Sequence, residues 1–426
     1  MNEYPNGLAF SDEMIKEVKD KFYYVDEDPI FGKRLFFDNA GGAFRLKAAV
    51  EIQGKLEAFP DCPERTHNMS LKLQEHMANG QRDIRIVFNT QEGSLLTGLT
   101  ASQVMFNIVG TIAESIEGDN IVTSVLEHPS AFDAAAYFAD KTGRELRVAQ
   151  SNQETGKVDP KEVAKLIDKN TVLLSIMHAS NLTGAIFDIE EIVKEARKIK
   201  PDLYIVVDAV QHAPHGRIDI DRLKIDGLNI GPYKFFGCRG SGIGWVSDRV
   251  SHLRHIKLIH KDEKVWALGT PTPAQFASMT AIVDYVAWIG SKFTDQTDRK
   301  ALFEEGIKRI KLQERALLYR LLEGTDKIKG LRHQDNVIVF IDNKDLTSRD
   351  LIVGVGFKNL PCADAAKELE KRGVIVAPRL ETSEYAKRML ESFSIKDGVL
   401  RVSPLHCNSL EDIDKFLEIA QEVAKL

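Results

Sequence analysis

The chain has 426 residues, 43% hydrophobic and 8% aromatic, enough for two to three lobes at roughly 150 residues per domain. Its 57 basic and 63 acidic side chains are interspersed and sum to −6, with no basic stripe or tail, which argues against nucleic acid and anionic membrane as partners. No apolar run nears the roughly 18 residues of a membrane span, and the opening MNEYPNGLAFSDEM lacks the basic start and apolar stretch of a signal peptide. Cys62, Cys238, Cys362 and Cys407 are too scattered for a disulfide framework or a zinc site. These features predict a cytoplasmic globular protein without a metal.

The first 35 or so residues carry no assignable pattern. Beyond them, short apolar runs predict strands over 84–88, 120–126, 145–149, 171–177, 203–207, 227–230 and 242–246. Helical periodicity predicts helices over 100–116, 130–142, 160–168 and 189–199, the third opened by Asp159 and Pro160 as cap and first helical residue. Runs such as LYIVV and TVLLSIM are almost wholly apolar, as in strands covered on both faces. Strands alternating with helices imply parallel βαβ units in a three-layer α/β domain. Past residue 300 the pattern changes to a long charged helix over 299–322, strands at 336–341, 374–377 and 399–402, and helices at 362–372 and 410–425. The expected division is an N-terminal segment (1–44) packed with the small domain, a large domain (45–300) and a small C-terminal α/β domain (301–426).

Ligands of doubly wound sheets bind at the carboxyl ends of the strands. Those ends carry Gly98-Leu99-Thr100, Glu127-His128-Pro129-Ser130, His178 and Asn181 to Gly184, Asp208 with Gln211, and Gly231-Pro232-Tyr233-Lys234. Each has a plain reading: a turn with an N-cap for Thr100, a capped loop histidine for His128, and a turn residue for Asn181. Exposed amides and a hydroxyl opening a helix also form a phosphate cradle. Asp208, directly after LYIVV, is predicted buried and in need of a cationic or hydrogen-bonding partner. Lys234, framed by Pro232, Tyr233, Phe235 and Phe236, is set in an apolar frame that lowers an amine pKa and favours attack on a carbonyl to form a Schiff base. An acid, a lysine and a phosphate cradle on one edge suggest pyridoxal 5'-phosphate.

Seven segments carry a family likeness: FFDNAGG (36–42), EHPS (127–130), SNLTG (180–184), VVDAVQHAPHGRIDI (206–220), GPYKFFGCRGSGIGW (231–245), LGTPTP (268–273) and LRVSPLHCN (400–408). With them the chain resembles the class V aminotransferase group of pyridoxal-phosphate enzymes of fold type I, which includes cysteine desulfurases and isopenicillin N epimerase-like proteins. The resemblance implies that Lys234 holds the cofactor and moves the proton at the substrate's Cα, that Asp208 pairs with the pyridine nitrogen, that Gln211 meets the ring hydroxyl, and that His128 stacks on the ring. It implies that Leu99 and Thr100 seat the phosphate, with Tyr233 beside it and Thr270 reaching in from the partner of a homodimer. Asn181 and Arg401 would bind the carboxylate of a small amino-acid substrate, with Asn39 and Gly41 lining the substrate side.

Two departures matter. Gly231-Pro232-Tyr233 stands where most relatives have a serine and a histidine that bind phosphate, and the segment 378–398 lacks the nucleophilic cysteine of desulfurases. The expected activity is therefore an aminotransferase acting on a small α-amino acid. A cysteine desulfurase or C–S lyase, or an epimerase, is the alternative, and a non-catalytic dimeric scaffold the remaining one. The glycine-dense Gly237 to Gly244 is followed by a strand, not the helix a dinucleotide fingerprint requires. His212-Ala-Pro-His215 has a proline inside it and no acidic or cysteine companion arranged with it, so no metal is expected there.

Overall fold

A computed structural model describes residues 4–426; the first three residues of the N-terminal segment lie outside it. Seven strands form the large sheet: β1 (Ser94–Gly98), β2 (Asn120–Ser124), β3 (Glu145–Ala149), β4 (Thr171–Met177), β5 (Tyr204–Asp208), β6 (Gly227–Ile230) and β7 (Gly242–Val246). Their spatial order is β1-β7-β6-β5-β4-β2-β3, and only β7 runs against its neighbours. β4 is buried at every position, which is why its sequence shows no alternation. Helices α1 (Asp12–Lys19), α2 (Lys47–Glu57), α3 (Asn68–Phe88), α4 (Ala101–Ser115), α5 (Pro129–Lys141), α6 (Pro160–Lys165), α7 (Ile189–Ile199) and α8 (Pro273–Ser291) belong with this sheet. Fold type I, with a mainly parallel large sheet, is the architecture observed.

The C-terminal part holds α9 (Arg299–Glu323), β8 (Val337–Phe340), β9 (Val353–Phe357), α10 (Cys362–Lys371), β10 (Ala377–Leu380), α11 (Lys387–Ser392), β11 (Gly398–Val402) and α12 (Leu410–Val423). Its sheet is antiparallel, in the order β8-β9-β11-β10. α9 serves both cores: Phe303, Ile307 and Ile310 pack under the large sheet, and Leu317, Leu318, Leu321 and Leu322 in the small one. The N-terminal segment is likewise shared. Met14, Val18 and Phe22 join the large core, while Leu35–Phe36 pairs with Val374–Ile375 and Phe37 enters the small core.

Two sequence expectations change, at 84–88 and 374–377, and α8 and β9 are among the elements the sequence pattern did not announce. Residues 84–88 are the last turns of α3 and not a strand, because Ile84, Val87 and Phe88 bury one helical face. Asn89, with φ 48°, caps that helix in the left-handed region, and the edge strand comes after it, as β1. α8 is apolar nearly all round and shows no stripe, so its period is invisible in sequence. β9 reads VGVGF; Gly354 and Gly356 let Val399 and Phe340 close over it, and a Cβ at either glycine would lie 2.8 or 2.7 Å from them. Residues 374–377 split, the first two pairing with the N-terminal segment and Ala377 opening β10. Among the described residues no helix is long and apolar enough to cross a membrane.

Candidate active site

Because β2, β4, β5 and β6 run parallel, their carboxyl ends share one edge. The turns that follow bring His128, Asn181, Asp208, Gln211, Tyr233 and Lys234 to one cleft, walled by Ala101 and Ser102 at the start of α4. Two contacts place that helix end. Gly242 has no Cβ, which would otherwise lie 2.3 Å from the Thr100 carbonyl carbon, and Asn229 Nδ2 donates to the Ala101 carbonyl at 3.0 Å. Lys234 is carried by a tight turn in which its N–H donates to the Gly231 carbonyl at 2.9 Å and that of Gly237 to Pro232 at 2.8 Å. Phe235 and Phe236 are fully buried and anchor the turn, Phe236 at a strained φ of 66°.

Lys234 Nζ donates to Gln211 Oε1 at 2.9 Å. Burial, with Arg401 nearby, pushes its pKa down to about 7, against the pull of Asp208, so a neutral amine is available near neutrality. Burial raises the Asp208 carboxyl, whose Oδ1 accepts from the Val210 N–H at 3.0 Å. His128 caps α5: its Nδ1 accepts from the Ser130 N–H at 3.1 Å and lies 2.7 Å from the Ser130 hydroxyl. Burial and the surrounding cations push its pKa down to about 3, so the ring that lines the cleft is neutral.

Beside it Glu127 is fully buried, with one oxygen 2.5 Å from the Ser124 hydroxyl and the other without a partner, and burial pushes its pKa up to about 8. A carboxyl raised on folding holds more protons in the native state, so its stabilising share is full below pH 4.5 and lost as pH rises through about 8. Glu127→Gln is therefore expected to match the wild type in thermal stability at about pH 5 and exceed it at about pH 9. Melting curves that run parallel across that range would contradict a protonated Glu127.

Where the small sheet meets Asn181, Arg401 is buried, donates to Asp38 at 2.7 Å and to the Asn181 carbonyl at 3.2 Å, and keeps its Nε–H without a partner. Asn181 Oδ1 is buried and also unpartnered. Gly41 lies against the pair, where a Cβ would sit 2.9 Å from Asp38 and 3.1 Å from Arg401. Asn39 is different: its amide donates to the Phe36 and Ser403 carbonyls and accepts from the Phe44 N–H, so it braces the 38–44 turn and has no free group for a substrate. Sequence reasoning missed Arg379. On β10 it lies diagonally from Arg401 on the same face of the small sheet, with a buried, unpartnered Nε, and burial and Arg401 push its pKa down to about 10. Its signal in sequence is only a lone arginine in a short strand. Arg401→Lys keeps the charge and loses the fork; we expect KM for the amino acid to rise about 10–100-fold with a smaller change in kcat, read by steady-state kinetics. An unchanged KM would contradict a carboxylate seat at Arg401.

Of the remaining expected residues, Tyr233 lines the cleft and Leu99, Thr100 and Thr270 lie outside its lining. Leu99 is 71% exposed and its N–H donates to Gln103 Oε1 at 2.8 Å, while Thr100 caps α4 through the Gln103 N–H at 3.1 Å. The wall of the cleft is thus made one step later, by Ala101 and Ser102. Tyr233 lines the cleft with Arg239 over its ring at 4.4 Å. Thr270 donates to Glu64 at 2.7 Å and does not line the cleft of its own chain. Among the described residues no cysteine lines the cleft: Cys362 and Cys407 are buried, Cys238 half-buried, and burial raises all three thiols.

These residues fit pyridoxal phosphate. A buried amine, a buried carboxyl one strand away, a neutral flat imidazole and a helix N-terminus surround one cleft, and unpartnered polar atoms on Asn181 and Arg401 lie beside it. Fold and cleft define a pyridoxal-phosphate-dependent enzyme. The chain belongs to the Aminotransferase class-V family, whose profile matches residues 35–416. Among its relatives is a probable cysteine desulfurase of Borreliella burgdorferi, 26% identical across 97% of this chain and 99% of that one. An aminotransferase-like protein of Gibberella zeae is 23% identical across 96% and 98%. In fold it is similar to the apo cysteine desulfurase of Thermococcus onnurineus (TM-score 0.78, 21% identity, 98% and 100% covered). The cysteine desulfurase CsdA of Escherichia coli is similar too (TM-score 0.79, 17% identity, 98% and 99% covered).

Proposed function

We propose that the enzyme transfers the amino group of a small α-amino acid to a keto acid. When bound, pyridoxal phosphate supplies an electron sink for the pair left when the Cα proton departs. Lys234 holds the cofactor and, as a neutral amine, takes that proton and returns it. Asp208 faces the ring nitrogen, Gln211 the ring hydroxyl and His128 the ring face. The start of α4 with Tyr233 receives the phosphate, and Arg401 with Asn181 orients the substrate carboxylate. The carrying observation is a buried lysine of lowered pKa beside a buried acid, in a cleft that no cysteine lines.

A C–S lyase is the second reading, supported by relatives named as cysteine desulfurases; elimination from Cβ needs no protein thiol. A homodimer is the proposed unit, with Thr270 serving the neighbouring cleft. Exposed Leu99, Ile256, Ile259 and Leu268 supply apolar surface for it.

Loaded protein mixed with single amino acids, cysteine among them and no keto acid present, tests the reaction. Transfer predicts about one 2-oxo acid per site, then a stall relieved by adding a keto acid. Continued release of sulfide would replace it with the lyase reading, and racemised substrate with the epimerase reading.

A further inference from the structure

Behind the cleft, the turn after β5 carries two buried histidines that the reaction leaves unused. Each finds an acid from far along the chain: His212 Nδ1 lies 2.9 Å from Asp350 Oδ2, and His215 Nδ1 lies 2.8 Å from Glu314 Oε2 on α9. The second pair continues to the cleft. His215 Nε2 lies 3.4 Å from Gln211 Nε2, and Gln211 Oε1 accepts from Lys234 Nζ at 2.9 Å. Glu314 is itself fixed, its other oxygen accepting the His406 N–H at 3.2 Å. Glu314, His215, Gln211 and Lys234 thus form one buried chain.

A primary amide has one accepting end and one donating end, and imidazole Nε2 accepts when neutral with its proton on Nδ1 and donates when protonated. A neutral His215 holds the Gln211 NH₂ and leaves the carbonyl for the Lys234 amine. An imidazolium holds the carbonyl instead and turns N–H donors toward the cleft, the arrangement open to Gln211 once Lys234 is tied to the cofactor and no longer donates to its carbonyl. Burial opposes charge on His215, but Glu314 and Asp350 outweigh it and raise the pKa, against Lys234. Lys311, Arg315 and Arg349 share a pocket with this pair, and His406, Tyr285 and Cys407 are further ionisable groups close to it.

We propose that Glu314 and His215 are positioning residues that decide which end of the Gln211 amide faces the cleft, and so set the proton affinity of the cofactor oxygen that Gln211 meets. The inference rests on the reading of Gln211 as partner of the ring hydroxyl.

The probe is pyridoxal phosphate bound to the full chain, and the readouts are the pH midpoint of its visible band and its dissociation constant, neither of which needs turnover. Removing an N–H donor raises the proton affinity of an ionised oxygen. His215→Gln and Glu314→Gln are each expected to raise the midpoint by about one pH unit, and the double variant no further than either, because one chain carries both effects. Glu314→Gln keeps the shape and carries the test should His215→Gln not fold. Gln211→Leu is the reference. A midpoint that moves in Gln211→Leu but in neither single variant would overturn the relay and leave the Gln211 reading standing. A midpoint unmoved in Gln211→Leu as well would overturn both.

Discussion

Lys234→Ala is expected to purify folded but without covalently held cofactor. Pyridoxal phosphate should leave it on dialysis, and amino-acid turnover should fall by at least about 10³-fold, the range of a lost general base combined with a lost covalent attachment. Folding should survive, because the substitution removes a buried amine that burial already holds toward neutrality, with Gln211 as its hydrogen-bond partner. The loss extends beyond attachment. An added free amine could restore proton transfer at Cα, but the turn of Phe235 and Phe236 would no longer deliver it to the right atom. A Lys234→Ala protein that retains bound cofactor and near wild-type turnover would contradict the assignment of this lysine.

Asp208→Asn should behave differently. The cofactor stays attached through Lys234 and the visible band remains, but kcat is expected to fall about a thousandfold, because a buried cation that loses its counter-charge costs several kcal/mol. The neutral amide keeps the size of the side chain and its contact with the Val210 N–H, at present 3.0 Å, so packing is preserved and the effect isolates charge. The pair of variants thus separates holding from activation. Asp208→Asn with turnover within about threefold of the wild type would show that the ring nitrogen needs no acid here.

Much of this site was legible because the chemistry follows the strands. Nearly unbroken apolar runs in β4 and β5 announce central strands, and Asp208 at the end of β5, with Asn181 and Gln211 in the turns that follow, fall at the cleft without further information. Lys234 stood out by its aromatic frame, and burial of Phe235 and Phe236 explains why that frame is there. What sequence could not show is contact between distant segments. Glu314 reaches His215 across 99 positions and Arg401 reaches Asp38 across 363, and no local pattern encodes either. His212 and His215 lacked acidic companions in sequence and acquired them from α9 and the 349–351 segment. Asn39 shows the same limit from the other side: its amide bonds within its own turn and to Ser403, a bracing contact that a motif cannot reveal. The end of α3 misled because five apolar-rich residues read equally as strand or helix.

The most direct test of the account is to reduce the cofactor-loaded protein with borohydride, digest it and locate the modified peptide by mass. The account predicts one pyridoxyl group per chain, on Lys234. A label on another lysine, or an unlabelled protein after loading, would contradict it.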